Sequence, residues 1–231
     1  MDYFIPILFI LIIGGAVYYY INKRVKTYRG KLIDSYTFPK RLTDSVKKVY
    51  PHLSDHQLKR VIRGLREYFH LIALSKRKMV SMPSQVVDVA WHEFILFTKQ
   101  YEIFCNRALG HFLHHTPAEA MRSKTVAQEG IRRAWRLSCF RAKIDPKSPT
   151  RLPLLFGIDE ELKIEDGFKY QLNCMNTNTS KNEGGCSGYC ATDIGCSSGC
   201  SGSSGAEDTG GDGFWGDGGD SSDGCGGCGG D

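Results

Sequence analysis

Residues 91–117 read WHEFILFTKQYEIFCNRALGHFLHHTP and hold four of the chain's seven histidines and one of its nine cysteines. Whether they are a ligand cluster or the turn of a helical hairpin decides how the chain folds. Gly110 is a helix stop, and Thr116, Pro117 and Glu119 form an N-cap, N1 and N3 series that opens a new helix. Upstream, Ser84 after Pro83 is an N-cap, so the spacing predicts a helix from Ser84 to about Leu109. On a wheel with Val87 at zero, Trp91, Phe94, Tyr101, Cys105, Ala108 and Leu109 fall within about 60° of one line, the core face. His92 falls near ~140°, in a polar stripe with Asp88, Lys99 and Asn106.

That geometry sorts the ligand types. His92-Glu93 begins like an HExxH zinc motif, but Leu96 stands where the second histidine belongs. On one continuous helix His92 and Cys105 lie about 20 Å apart and cannot share a coordination shell. Asp88 and His92 are one turn apart, so the carboxylate can orient the imidazole for a metal or for base catalysis. They are the candidate catalytic pair. If the neighbouring helices are antiparallel, His70, His92 and Cys139 come to a similar level, a possible metal set far from His114 and His115. The competing reading of His92 is an ordinary hydrogen-bonded histidine in a groove. His115, directly before Thr116, reads as a staple for the next helix. Cys105 and Cys139 read as small buried hydrophobes, and Trp91 and Trp135 as core aromatics.

Working outward, Leu42, Val46 and Val49 mark a short helix before Pro51, and Ser54 to Gln57 forms a capping box ahead of Leu58, Val61, Ile62, Leu65, Phe69 and Ile72. The helix opened at Thr116 runs toward Cys139, although its middle, RSKTVAQEG, is too polar and glycine-broken to predict one continuous rod. Residues 145–175 contain three prolines and predict an irregular lobe with a short strand at Phe168 to Leu172.

The N-terminus supplies a different signal. Tyr3 to Ile21 is 19 residues without a charge, close to the roughly 20 that cross the hydrocarbon core as a helix. It opens with Asp2 and exits through YYYINKR, the ends of a retained anchor and not of a cleaved signal peptide. Lys23, Arg24, Lys26, Arg29 and Lys31 crowd its C-terminal flank, so the bias of basic residues predicts the N-terminus outside and the rest cytoplasmic, at the cell membrane. In a Gram-negative cell that is the inner membrane. Residues 22–37 read as a basic juxtamembrane linker attracted to anionic headgroups.

The tail is another polymer. Residues 182–231 carry nine acidic and no basic residues, which leaves 5 + 9 = +14 on residues 1–181, and they hold 18 of the 26 glycines. From 176 to 231 no apolar periodicity appears, so the composition predicts disorder. Its cysteines, Cys186, Cys190, Cys196, Cys200, Cys225 and Cys228, are spaced so that four thiolates can enclose zinc or an iron-sulfur cluster. In a reducing cytoplasm they are thiols or ligands and not disulfides.

The fold class is therefore mainly α: a single transmembrane helix (1–21), the basic linker (22–37), a small helical bundle with an irregular C-terminal lobe (38–175), and a disordered Gly/Cys-rich tail (176–231). The residues Asp88, Trp91, His92, Tyr101, Phe104, Cys105, Gly110, Phe112, Leu113, His114, His115 and Pro117 resemble the signature of the glycine-rich domain-containing protein-like family, D-x-x-W-H-x-H, Y-x-x-F-C and G-x-F-L-H-H-x-P. Phe94 departs from it, standing where that pattern often has a second histidine. The resemblance implies a fold and no reaction. The expected function is a membrane-anchored interaction or assembly module with an unidentified protein partner and a flexible, metal-loaded arm, the alternative being a metal- or thiol-dependent enzyme centred on Asp88 and His92. The basic charge is spread and carries no recognition motif, so no nucleic-acid partner is expected.

Overall fold

The computed structural model describes residues 4–115, 124–172, 189–190 and 194. Among them, helices dominate: α1 (Phe4–Ser35), α2 (Lys40–Val49), α3 (Asp55–Leu74), α4 (Gln85–Ile95), α5 (Thr98–Phe104), a π-helical turn (Cys105–Leu109), α6 (Lys124–Ala142) and α7 (Leu154–Glu161), with β1 (Tyr170–Gln171) paired in parallel to β2 (Tyr189–Cys190). α3 is the central post, packed by α1, α2, α4, α6 and α7.

Its start is set by local chemistry. The Ser54 side chain accepts from the Gln57 amide while the Gln57 side chain accepts from the Ser54 amide, satisfying two orphan donors reciprocally. Its buried stripe, Leu58, Val61, Leu65, Tyr68, Phe69 and Ile72, meets an aromatic cluster in which Phe69, Phe94 and Phe104 lie with centroids 4.7 to 6.1 Å apart. Such edge-on pairs add about 0.5–1.5 kcal/mol each beyond burial.

α1 differs from the sequence expectation in where it ends. From Ile7 to Ile21 every side chain is exposed, apolar on all sides, and the helix is long and apolar enough to cross a membrane. The stretch expected to be a juxtamembrane linker continues the same helix to Ser35. Ile33 is fully buried, and Asp34 Oδ1 lies 2.7 Å from His70 Nε2 on α3. No proline or glycine cluster stops the helix between residues 22 and 35, and its last turns find core to cover.

One of the basic residues read as a topology signal has a second role. The Arg29 guanidinium sits over Gly110, whose φ of +80° closes the π-turn, so a Cβ there would fall 2.2 Å from an Arg29 nitrogen. A cation at that helix end also complements the exposed carbonyls. Gly110→Ala is expected to cost about 1–2 kcal/mol through the left-handed backbone alone, read as a lower melting temperature.

The helix expected from Ser84 to about Leu109 breaks at Leu96 and Phe97, where the Leu96 amide reaches His92 O and the Phe97 amide Phe94 O, before α5 begins. α6, by contrast, runs through Gly130 unbroken, and its glycine is explained by packing: a Cβ there would lie 2.1 Å from Ser81 Oγ in the loop between α3 and α4. The expected start of that helix at Thr116 lies outside the described residues. The proline-rich lobe contains α7, and the strand expected at 168–172 is present as β1. The tail expected from residue 176 is not wholly apart from the domain: Tyr189 and Cys190 pair with β1, and Ile194 is buried in the core. Isolated bulky residues among glycines carry no periodicity, which is why composition missed them.

Candidate metal centre

Asp88 and His92 project from α4. The helix is fixed at its start by Ser84, whose Oγ accepts from the Val87 amide at 3.3 Å and donates to the buried Asp159 carboxylate of α7 at 2.6 Å. Asp159, 3% exposed, also accepts from the amides of Gln85, Val86 and Phe168 at 2.7 to 3.3 Å. A buried carboxylate thus holds the first turn of the helix that carries the site, where the helix dipole favours an anion.

The chain then returns to α4. Because the break after Ile95 turns α5 back, Tyr101 packs on Phe94, and its hydroxyl accepts from Trp91 Nε1 at 3.1 Å while donating to Leu113 O at 2.6 Å. That bond, with Phe112 edge-on to Tyr101, pins the segment after Gly110 against α4. His115 arrives at the end of it, its ring 4.8 Å from Trp91 and 4.2 Å from His92.

The result is a three-ligand cluster. Asp88 Oδ2 lies 3.4 Å from His92 Nδ1, and Asp88 Oδ1 lies 3.8 Å from His115 Nε2. One donor atom from each of Asp88, His92 and His115 falls within 4.8 Å of the others. Tetrahedral ligands at zinc-ligand bond lengths are roughly 3.3–3.5 Å apart, so closing the widest separation by about 1.4 Å, shared between two side chains, brings the set onto an ion. Asp88 and His115 are about one-fifth exposed and His92 about half, at 23%, 21% and 48%. The site therefore opens to solvent on the His92 side and leaves coordination positions free.

Burial shifts two of the three groups, in opposite directions. Burial pushes the Asp88 carboxyl above the ordinary carboxylate range, against the pull of His92 and His115. Burial, and then His92, push His115 below the ordinary histidine value, against Asp88. A neutral imidazole beside a carboxylate without a full counter-charge is a metal-ready arrangement.

The carboxylate has a consequence for stability. A raised acid pKa contributes stability below the unfolded value, near ~3.9, and that contribution is lost as pH rises through the folded value, so at neutral pH the metal-free fold works against ionised Asp88. Asp88→Asn is expected to melt higher than the parent chain without metal at pH 7, while losing metal binding. A lower melting point in the metal-free comparison would make Asp88 a structural residue.

Set against the sequence, Asp88 and His92 meet as expected, and the third partner is new. His115, read as a staple and as remote from His92, is its nearest ring. The set His70, His92 and Cys139 is not brought together among the described residues: His70 is committed to Asp34, and Cys139 is fully buried, its thiol raised to about 11 by burial and then by Asp145. One unbroken helix from Ser84 to Leu109 would hold the 110–115 segment away from His92; the break at Leu96 and Phe97 lets it fold back. Cys105 is buried, and burial raises its thiol. Phe94 is fully buried among Tyr36, Phe38, Phe69 and Phe104. The position therefore faces the core, and the second imidazole of the cluster comes from His115. Of the tail cysteines only the backbone of Cys190 is described; Cys186, Cys196, Cys200, Cys225 and Cys228 lie outside the described residues.

By fold and site the chain is a mainly helical protein presenting two imidazoles and a carboxylate from α4 and the segment that folds back onto it. It belongs to the UCP032817-like family, whose model matches residues 28–194, from within α1 to the buried Ile194. No curated protein and no solved structure matches the chain.

Proposed function

We propose that the protein is a membrane-anchored helical domain that binds a divalent transition metal, zinc by the chemistry of the donors, at Asp88, His92 and His115. The observation that carries this reading is the convergence of three donor atoms within 4.8 Å, two of them side chains that sequence spacing alone keeps apart. Two imidazoles and one carboxylate with free positions make a set of the catalytic kind, able to activate a bound water, and not a closed structural site. A thiol-based reaction has less support, because both described thiols, Cys105 and Cys139, are buried and raised.

The anchor is α1, with the N-terminus outside and the domain and tail cytoplasmic, at the cell membrane. Its unbroken run from the apolar stretch into the core supports a retained helix, and the basic residues after Ile21 support the orientation. A second reading, a docking or assembly module for a protein partner, draws on exposed apolar side chains such as Leu96 and Phe140, each more than two-thirds exposed. The metal reading is tested by equilibrium dialysis of the full chain in mild detergent against Zn²⁺. One equivalent retained in a chain whose tail cysteines are serine supports it, and none retained contradicts it.

A further inference from the structure

A second concave site lies where the C-terminal lobe meets α3. A cavity of about 270 Å³ opens at the start of α7 and is lined by Arg60, Arg63, Arg151, Pro153 and Glu161, among others. It is smaller than the roughly 300–1,000 Å³ of sites for drug-sized ligands. Its chemistry is strongly one-signed: three guanidinium groups face a single carboxylate. Glu161 is engaged by Arg60, whose Nη2 donates to Oε2 at 2.7 Å. Arg151 uses one N–H on Ala142 O at 3.3 Å, leaving most of its five donors free. Arg63 is exposed and has no hydrogen-bond or ion-pair partner among the described residues.

Like charges gathered around one cavity repel unless an anion sits among them. The helix supplies a further reason. α7 begins at Pro153, which offers no side-chain cap, and has no acidic residue in its first turn; the Phe156 and Gly157 amides close on Pro153 O, and the positive end of the helix, with Pro153 and Leu154, lines the cavity. Planar guanidinium forks pair with two oxygens of a phosphate as they do with a carboxylate, and a phosphate has further oxygens and charge with which to meet a second guanidinium.

We infer that this cavity binds a phosphate group, as inorganic phosphate or a soluble phosphate monoester, held between Arg63 and Arg151 over the first turn of α7, with Arg60 and Glu161 setting its floor. The site shares no residue with the Asp88, His92 and His115 cluster. It stands whether or not that cluster holds a metal.

The test uses the full chain in zwitterionic nanodiscs, in phosphate-free buffer, with inorganic phosphate as the probe and calorimetry as the readout. Saturable binding of one phosphate is expected, weakened roughly tenfold or more by Arg63→Ala and by Arg151→Ala. Both residues are exposed and are expected to leave the thermal melt unchanged. Glu161→Gln removes the competing carboxylate and is expected to tighten binding, an effect of opposite sign that a diffuse basic surface does not give. Repeating the titration in nanodiscs containing phosphatidic acid identifies the source: unchanged affinity is expected for a soluble ligand, and lost affinity assigns the same phosphate site to a lipid headgroup. Absence of saturable binding, or equal affinity in all four chains, overturns the proposal.

Discussion

Replacing His115 with alanine is expected to lower the affinity of the chain for Zn²⁺ by a hundredfold or more. Loss of an outer-shell partner of a metal ligand costs about 10–100-fold, and a ligand itself costs more. His115 also packs on Trp91 and His92, so the alanine variant confounds packing with ligation. His115→Phe separates the two, because it keeps a ring against Trp91 and offers no donor atom. A chain with phenylalanine there is expected to melt close to the parent without metal and to bind Zn²⁺ as poorly as the alanine variant. Retained affinity in the phenylalanine variant would remove His115 from the site. The pH dependence carries a sign as well: the His115 value is depressed, so its protonation limits metal binding only below the ordinary histidine range, near ~6.5. The raised Asp88 value has the opposite effect and makes the carboxylate protonate earlier on acidification than an exposed one.

Asp159→Ala is expected to cost as much stability as truncating a fully buried core aromatic. The carboxylate accepts four hydrogen bonds from Ser84 Oγ and the amides of Gln85, Val86 and Phe168. Its removal strands donors in a buried setting at about 1–3 kcal/mol each where water cannot reach them. A total on the order of 3–5 kcal/mol, or roughly 10 °C of melting temperature for a domain of this size, follows. Asp159→Asn keeps one acceptor oxygen but turns an amide against donors, so it is expected to fall between. Because Asp159 and Ser84 together hold the first turn of α4, both variants are expected to weaken metal binding without touching a ligand. Differential scanning calorimetry of the metal-free chains measures the first effect, and a melting point within a degree of the parent would contradict it.

These two residues mark where the sequence was legible and where it was not. Helix boundaries with a local chemical cause were readable: the Ser54 and Gln57 box, the Ser84 cap and the Gly110 stop all act within a few residues of themselves. The apolar stretch to Ile21 was readable because length and lack of charge suffice. The break at Leu96 and Phe97 was not, since neither residue is a glycine or proline. The bend there accompanies the tertiary packing of Tyr101 on Phe94 and its hydrogen bond from Trp91, contacts between residues that no local rule pairs. His115 was hidden for the same reason: its approach to Asp88 depends on the hydrogen bond from Tyr101 to Leu113 O, made across a turn no local rule describes. A signal did exist for Asp159. In LLFGIDEEL the carboxylate shares the apolar stripe of Leu155, Phe156, Ile158 and Leu162, and a lone acid on such a stripe implies buried donors. Asp88 and His92 were visible because a one-turn spacing is a local fact.

Cobalt offers the most direct measurement of the central claim. The full chain in detergent, with all six tail cysteines changed to serine, is titrated with Co²⁺ and followed by its visible and near-ultraviolet absorption. Nitrogen and oxygen ligation at Asp88, His92 and His115 is expected to give a saturating visible band at one equivalent, with no thiolate charge-transfer band, lost in His115→Phe and competed by Zn²⁺. If the cobalt spectrum instead appears only in the chain with its tail cysteines intact, carries the thiolate band and is indifferent to His115→Phe, the metal belongs to the tail and the cluster on α4 is not a metal centre.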